Sequence, residues 1–485
     1  MLKNYKLINN IAGWILCIVA SAVFIMTAEP SVSFWDCGEY IATAYKLQVG
    51  HPPGAPTFQL IGRLFTLFAG DDVTKVAFCI NCMSAVCSGL TILFLFWTIT
   101  MLGRKLALAK KGSSFTTSKA IAVLGSGIVG ALAYTFTDTF WFSAVEGEVY
   151  AMSSFCTALV FWAILKWERV SDENYSYRWI ILIAYIIGLS IGVHLLNLLT
   201  LPAMVLVVYF RKYKPSPKGI MWALLLSFVL VGIILWGIVP GIVSFSSLFE
   251  RLFANAFHTG FYVGTIFYFL LIAGLLGWGL WYSEKRNKKL LSTGLLSLVF
   301  LLVGYSTFLI LPIRSNANPP IDENDPEDAV ALLAYLNREQ YGSNPLVYGQ
   351  YYNTPVRDTK DGNPVYIRKY IVTGDMGEIK SFFTEFDANK FIAENKAKYG
   401  ELKIKERYEI GDSREKLLPV YDGTYCTFFP RMWSREDAQI WQYKQWAGIT
   451  GEDVVVRNGR EVPNVPSFSQ NLKFFFSYQM WYMYG

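Results

Sequence analysis

All three histidines of this chain, and a small set of carboxylates, fall at the ends of apolar runs. Phe34-Trp35-Asp36-Cys37-Gly38-Glu39 sets two carboxylates three residues apart, and His51-Pro52-Pro53-Gly54 follows as a rigid turn. A carboxylate within hydrogen-bond reach of a hydroxyl can take its proton as a new bond forms, which makes Asp36 a candidate general base and Glu39 its orienting partner. Each residue also has a plainer reading: Asp36 as a helix N-cap, Trp35 as an interfacial aromatic, His51 as a donor to a backbone carbonyl. Glu146-x-Glu148 precedes Tyr150 at the start of another apolar run, where acids also oppose a helix dipole. His194 and Asn197 stand in a polar break between two apolar stretches. Arg314 closes the last long run and suits a phosphate oxyanion, or equally a snorkelling position at a membrane surface.

The apolar runs are what must position these groups. Residues 8 to 312 hold successive runs of about 15 to 24 residues, near the roughly 20 needed to cross hydrocarbon as helix. Hydrophobic residues make up 53% of the chain and charged ones 16%, so a polytopic helical membrane protein is expected. Lys and Arg cluster in alternate loops, at Lys3 and Lys6, at Arg104, Lys105, Lys110 and Lys111, at Lys166 and Arg169, and at Lys285 to Lys289. Those loops belong on the cytoplasmic side. Residues 179 to 210 have basic clusters on both flanks, so two short helices turning at His194 to Asn197 keep both clusters on one side. About nine spans result: 10–28, 76–101, 120–137, 149–165, the 179–210 pair, 219–240, 261–282 and 290–312. The first reads as an uncleaved signal anchor, because Glu29-Pro30 makes a poor cleavage site. Ala55 to Ala69, apolar but carrying Gln59 and Arg63, reads as a helix lying flat in the outer interface.

The net charge of +6 sits in short loops, where it orients the protein and does not form a nucleic-acid surface. Seven scattered cysteines, five in apolar stretches, exclude a disulfide framework, and Cys79-x-x-Cys82 lacks the second pair that a metal site needs. After residue 312 the chain changes character, with turn signals, a helix expected after Asp325-Pro326 and an alternating stretch at Pro364 to Arg368. The expected division is a transmembrane domain over 1–312, an extracytoplasmic α+β domain over 313–471, and an aromatic segment over 472–485. That last segment reads as interfacial or as the start of a further span, with the chain truncated there.

On this topology Asp36, Glu39, Glu146, Glu148, Arg251, Arg314 and the histidines collect on the outer face, while the spans lack ionisable groups at mid-depth. Coupled transport needs such groups or broken helices near the midplane, which argues against it. Taken together, the motifs resemble the GT-C superfamily of membrane glycosyltransferases, which carry an acid in the first outer loop. More specifically, Phe34-Trp35-Asp36-x-Gly38-Glu39, Gly50-His51-Pro52-Pro53-Gly54, Glu148-Val149-Tyr150, His194 with Asn197, Leu311-Pro-Ile-Arg314-Ser and Asn318-Pro-Pro resemble one family. It is an uncharacterised-domain family of Bacteroidetes membrane proteins related to the animal transmembrane protein O-mannosyltransferase. The resemblance covers about residues 1 to 340.

The resemblance implies a GT-C-like bundle in the inner membrane, with its N-terminus cytoplasmic and its active site and C-terminal domain periplasmic. It implies an inverting transfer of a sugar, mannose, from a polyprenyl-phosphate donor to Ser or Thr hydroxyls of exported proteins. Asp36 and Glu39 take the catalytic roles, and Arg314, His51 and His194 the donor phosphate. Trp35, Glu146, Glu148, Tyr150, Asn197 and Asn318 bind substrate. No cofactor is required; a divalent cation on Asp36, Glu146 and Glu148 is the variant reading. The competing functions are transfer to a lipid or polysaccharide acceptor, and a non-enzymatic lipid-linked glycan flippase or membrane scaffold.

Overall fold

The computed structural model describes residues 2–110, 112–342, 344–362, 364–375, 377–411, 418–457 and 460–484; Lys111 of the basic cluster lies outside them. The chain forms two compact units, Met1–Asn337 and Arg338–Gly485.

The first unit is helical: α1 (Tyr5–Met26), α2 (Cys37–Lys46), α3 (Pro56–Thr66), α4 (Val76–Ala107), α5 (Thr117–Thr135), α6 (Asp138–Ala144), α7 (Val149–Val170), α8 (Tyr177–Ile191), α9 (Leu201–Lys212), α10 (Pro217–Gly232), α11 (Val239–Asn255), α12 (Val263–Lys285), α13 (Lys289–Tyr305), α14 (Ile310–Ser315) and α15 (Ala329–Leu336). Among the described residues, eight helical segments are long and apolar enough to cross a membrane, with α8 a shorter apolar helix beside them. The protein is therefore a multi-pass membrane protein. Local signals fix the starts. Thr116 accepts from the Lys119 N–H to open α5, Ser216 caps α10 with Pro217 at its first turn, and Asp328 accepts from Val330 and Ala331 to open α15.

The expected hairpin at residues 179–210 is present as α8, a 3-10 turn over Leu195–Thr200, and α9. Its flanks do share one end of the unit: Arg211 and Lys212 both pair with Asp172, just before α8. Elsewhere the expected boundaries needed correction. The span placed at 219–240 continues to Asn255, because a π-helical segment at Ile233–Ile238 precedes Pro240 and lets the helix path absorb its missing N–H. The segment read as lying flat at the outer interface is α3, and it packs into the unit, with Phe58 and Gln59 buried and Gly62 within 3.0 Å of Ala44 as measured from an added Cβ. Part of its apolar surface meets protein, while Leu64 stays exposed, as do Leu67 and Phe68 just beyond it. Helices α8 and α13 approach most closely at Gly188 and Gly304, where a Cβ on Gly188 would stand 2.2 Å from the Leu301 carbonyl oxygen. Small residues let helix backbones meet in this way in membranes.

The second unit is α+β. A three-stranded antiparallel sheet places Tyr366–Gly374 between Gly377–Phe382 and Lys403–Ile410, with the helix Glu385–Tyr399 linking the outer strands. Three two-stranded ribbons and the helices Asp437–Ala447 and Phe468–Phe474 complete it around Tyr351, Tyr352, Met432, Tyr443 and Phe474.

Candidate active site

The loop between α1 and α2 turns on Trp35, an exposed aromatic held at φ +59, and delivers Asp36 to the start of α2. A non-glycine residue in that region is uncommon and marks a place the surrounding structure enforces. Asp36 occupies the N-cap position, yet its side chain caps nothing. Its carboxylate is 60% exposed and, among the described residues, accepts no hydrogen bond. The capping explanation for this acid is thereby removed.

Glu39, one turn on, is committed instead. Its Oε2 stands 3.0 Å from His51 Nδ1, and its Oε1 accepts from the His51 backbone N–H. His51 thereby presents Nε2 toward Asp36, 3.9 Å from Oδ2. Electrostatics follow from this geometry. Burial would raise the Glu39 carboxyl, but the two bonds and the charge of His51 outweigh it and hold it below its ordinary range. The bond to Glu39 raises the imidazole above its usual value against the opposing effect of burial, with Glu39, Asp36 and Glu323 adding to the rise. Gly50 is needed beside this pair, because a Cβ there would lie 2.5 Å from Glu39 Oε1.

The Glu146 loop joins the same place. Glu146 accepts from Ser33 Oγ at 2.8 Å, and the Glu29 N–H donates to the Val145 carbonyl at 2.9 Å. Asn81 of α4 donates to the Glu29 and Ser31 carbonyls, locking the first loop to the bundle. Glu148 caps α7 through the Val149 N–H and is buried, which raises its carboxyl to about 7 with help from Asp36 and Glu146. Cys37, between these acids, is pushed up to about 12 by burial and their charge, so its thiol stays protonated and is no nucleophile. Tyr40 packs 5.6 Å from His51 and 5.4 Å from Phe58, and burial beside Glu148, Asp36 and Glu39 keeps its phenol protonated. Among the described residues no three His, Cys, Asp or Glu side chains are grouped to hold a metal ion.

Other anticipated residues are placed differently. His194 accepts from the Leu196 N–H at Nδ1, 3.2 Å, which leaves the proton on Nε2; burial lowers its value, so the ring is a neutral N–H donor. It packs 5.5 Å from Tyr150. Asn197 is fully buried and donates to Ser190 Oγ at 2.7 Å, which holds the hairpin turn. Arg314 donates through Nε to the Leu47 carbonyl at 2.6 Å and through Nη2 to Lys46 at 3.3 Å. It therefore caps the far end of α2, roughly 15 Å of helix from Asp36. Asn318 lies in an exposed turn at φ +47, its N–H bonded to the Ser315 carbonyl.

Sequence reasoning missed Tyr40, Ser33, Asn81 and Tyr335. Tyr335 donates to the Gly50 carbonyl at 2.6 Å, and Val49 bridges Asp322 in parallel, so residues 47–51 are clamped by the chain that follows α14. Tyr40 alone carried a signal, lying four residues after Asp36 and hence on the same side of a helix.

One consequence is measurable without any substrate. Glu148 binds its proton more tightly when folded than its ordinary 4.5, so the folded state loses stability as pH rises from about 4.5 to about 7. Glu148→Gln keeps an oxygen for the Val149 N–H and removes the charge. It is expected to raise the apparent Tm at pH 8, by at most about 3 kcal/mol of stability, and to leave it unchanged at pH 4. Equal shifts at both pH values would remove the buried charge from the account.

Comparison with known proteins finds similarity to membrane O-mannosyl-transferases. Residues 36–216 match the family described as the protein O-mannosyl-transferase TMEM260 N-terminal domain, and residues 379–476 match a family of unknown function, DUF8416. The protein O-mannosyl-transferase tmem260 of Dictyostelium discoideum is 26% identical over 238 residues, 48% of this chain and 27% of that protein. The protein O-mannosyl-transferase TMEM260 of Mus musculus is 26% identical over 172 residues, 35% of this chain and 22% of that protein. The chain thus spans about a quarter of the length of these curated relatives. No solved structure matches it. The matched stretch, residues 36–216, contains Asp36, Glu39, His51 and Glu148, and over it this chain is similar to the family described as the protein O-mannosyl-transferase TMEM260 N-terminal domain.

Proposed function

We propose that this chain transfers mannose from a polyprenyl-phosphate donor to Ser or Thr hydroxyls of exported proteins, with the Asp36 loop on the periplasmic face of the inner membrane in a GT-C-like bundle. The observation that carries the reading is an uncommitted, exposed Asp36 carboxylate beside an imidazole fixed by Glu39. The acceptor oxygen attacks the anomeric carbon as its proton passes to Asp36. The bond from that carbon to the phosphate oxygen breaks, and the electron pair leaves with the phosphate.

Distance supports a division of labour between the histidines. In an inverting displacement the base and the departing group lie on opposite faces of the sugar, which in inverting glycosidases separates the two catalytic carboxyls by about 6.5 to 9.5 Å. His51 Nε2 is 3.9 Å from Asp36, so in this reading it serves the base and orients its carboxylate. In this reading His51 works beside Asp36 and not on the donor phosphate. His194, with its N–H at Nε2, and the neighbouring half-exposed Tyr150 are donors suited to the phosphate. Glu148, titrating near neutrality, can donate to or accept from a sugar hydroxyl. Arg314 and Tyr335 act through the backbone that positions α2 and His51.

The test is incubation of the purified chain with polyprenyl-phosphate mannose and Ser/Thr peptides, read by mass spectrometry. A hexose on the hydroxyl supports the reading. Donor turnover onto lipid or polysaccharide only would replace the acceptor, and no turnover of bound donor would replace the activity.

A further inference from the structure

At the end of the first unit opposite Asp36, the first turns of α1 and α8 and the last turns of α4 and α7 enclose a cavity of about 790 Å³. Five cations line it, Lys6, Arg104, Lys105, Lys166 and Arg169, against one lining carboxylate, Glu173. Lys105 is paired with Glu168; among the described residues the other four cations form no ion pair. Lys166 is half-buried, with its ammonium 4.9 Å over Trp162 and with Arg169 and Lys6 in electrostatic reach. Trp162 in turn meets Trp97 at 5.7 Å and Trp179 at 5.8 Å, which makes one wall aromatic.

Basic residues at span ends ordinarily spread outward into water or the headgroup layer, and this accounts for Lys110 or Lys285 without further argument. It does not account for five cations from three helices lining one concavity, where the carboxylates of Glu168 and Glu173 offset only part of their charge. A phosphate would compensate the remainder. We propose that this cavity binds the phosphate headgroup of an anionic membrane lipid. The lipid source is favoured by two observations. The cavity lies where α1, α4 and α7 end and tryptophans gather, the depth of headgroups. From its rim Leu7, Ile11, Trp14, Ile15 and Ile18 run along α1 at helical spacing, all half or more exposed, offering a track for an acyl chain.

The experiment uses the purified full chain and native mass spectrometry, with phosphatidylglycerol, phosphatidylcholine and inorganic pyrophosphate as probes. Phosphatidylglycerol is expected to bind in preference to phosphatidylcholine, more weakly at high salt, and about tenfold to thirtyfold more weakly to the Lys166→Gln/Arg169→Gln double variant. Lys285→Gln, outside the cavity, should bind as the parent does. Should the double variant fail to fold, Arg104→Gln alone should show a smaller loss in the same direction. Equal binding of both lipids, or undiminished binding by the variants, overturns the proposal. Pyrophosphate binding tightly to lipid-free protein and excluding phosphatidylglycerol overturns the lipid source, leaving a water-soluble phosphate in its place.

Discussion

Asp36→Asn should fold, insert and bind donor as the parent chain does, while its transfer rate falls by about 10² to 10⁴, the usual contribution of a positioned general base. The structure makes this a clean substitution. The side chain is 60% exposed, caps no helix and accepts no hydrogen bond among the described residues, so its amide leaves no buried group unpaired. Surface changes of this kind shift stability by about 0.5 kcal/mol or less, too little to account for a rate loss of that size. The amide keeps shape and hydrogen bonding but cannot take the acceptor proton. Single-turnover transfer to a Ser peptide, measured beside Tm and donor affinity, separates the two effects. A variant that transfers at the parent rate would remove Asp36 as the base, and Glu148, whose carboxyl titrates near 7 in the same cluster, would be examined in its place.

The parts legible in the sequence were those governed by one dominant physical term. Desolvation of backbone in lipid demands long apolar helices, so α1, α4, α7 and α12 could be read from hydropathy, and charge asymmetry turned residues 179–210 into a hairpin. The continuation past residue 240 was not legible, because a π-helical segment before Pro240 is invisible in residue types. Asp36, Glu39, His51, Glu146 and Glu148 were legible as members of a wider polar group that also held Arg251, Arg314, His194 and His258. What could not be read was their division of labour. Asp36 and Glu39 look alike in sequence, and only the turn at Gly50 and the approach of His51 commit one and leave the other uncommitted. Arg314 was legible as a cation closing the last long apolar run, but its partners are main-chain carbonyls 267 and 268 positions away, and main-chain acceptors leave no mark on composition. Tyr335, which donates to the Gly50 carbonyl, escaped for the same reason.

Glu39→Gln is expected to slow transfer by about 10- to 100-fold at neutral pH and, more tellingly, to move the alkaline limb of the rate profile to lower pH. The bond to Glu39 is the largest cause of the raised His51 value, so removing the charge lets the imidazole fall back toward its ordinary 6.5. If His51 serves Asp36 as an imidazolium, activity declines as pH rises through the His51 value, and the variant must begin that decline earlier. A purely structural role for Glu39 would lower the rate without moving the limb. Stability carries the same signature. His51, raised on folding, contributes stability in full below about 6.5 that is lost as pH rises through its folded value. Glu39, lowered on folding, contributes stability above about 4.5 that is lost as pH falls through its folded value. The pair therefore stabilises the fold most between those limits, and Glu39→Gln should flatten the pH dependence of Tm across that window. Gly50→Ala provides the steric counterpart, since its Cβ would stand 2.5 Å from Glu39 Oε1 and push that carboxylate away from His51. It should reproduce the shifted limb with the carboxylate still present. A Gly50→Ala enzyme with the parent's pH profile would show that the Glu39 contact to His51 does not control the site.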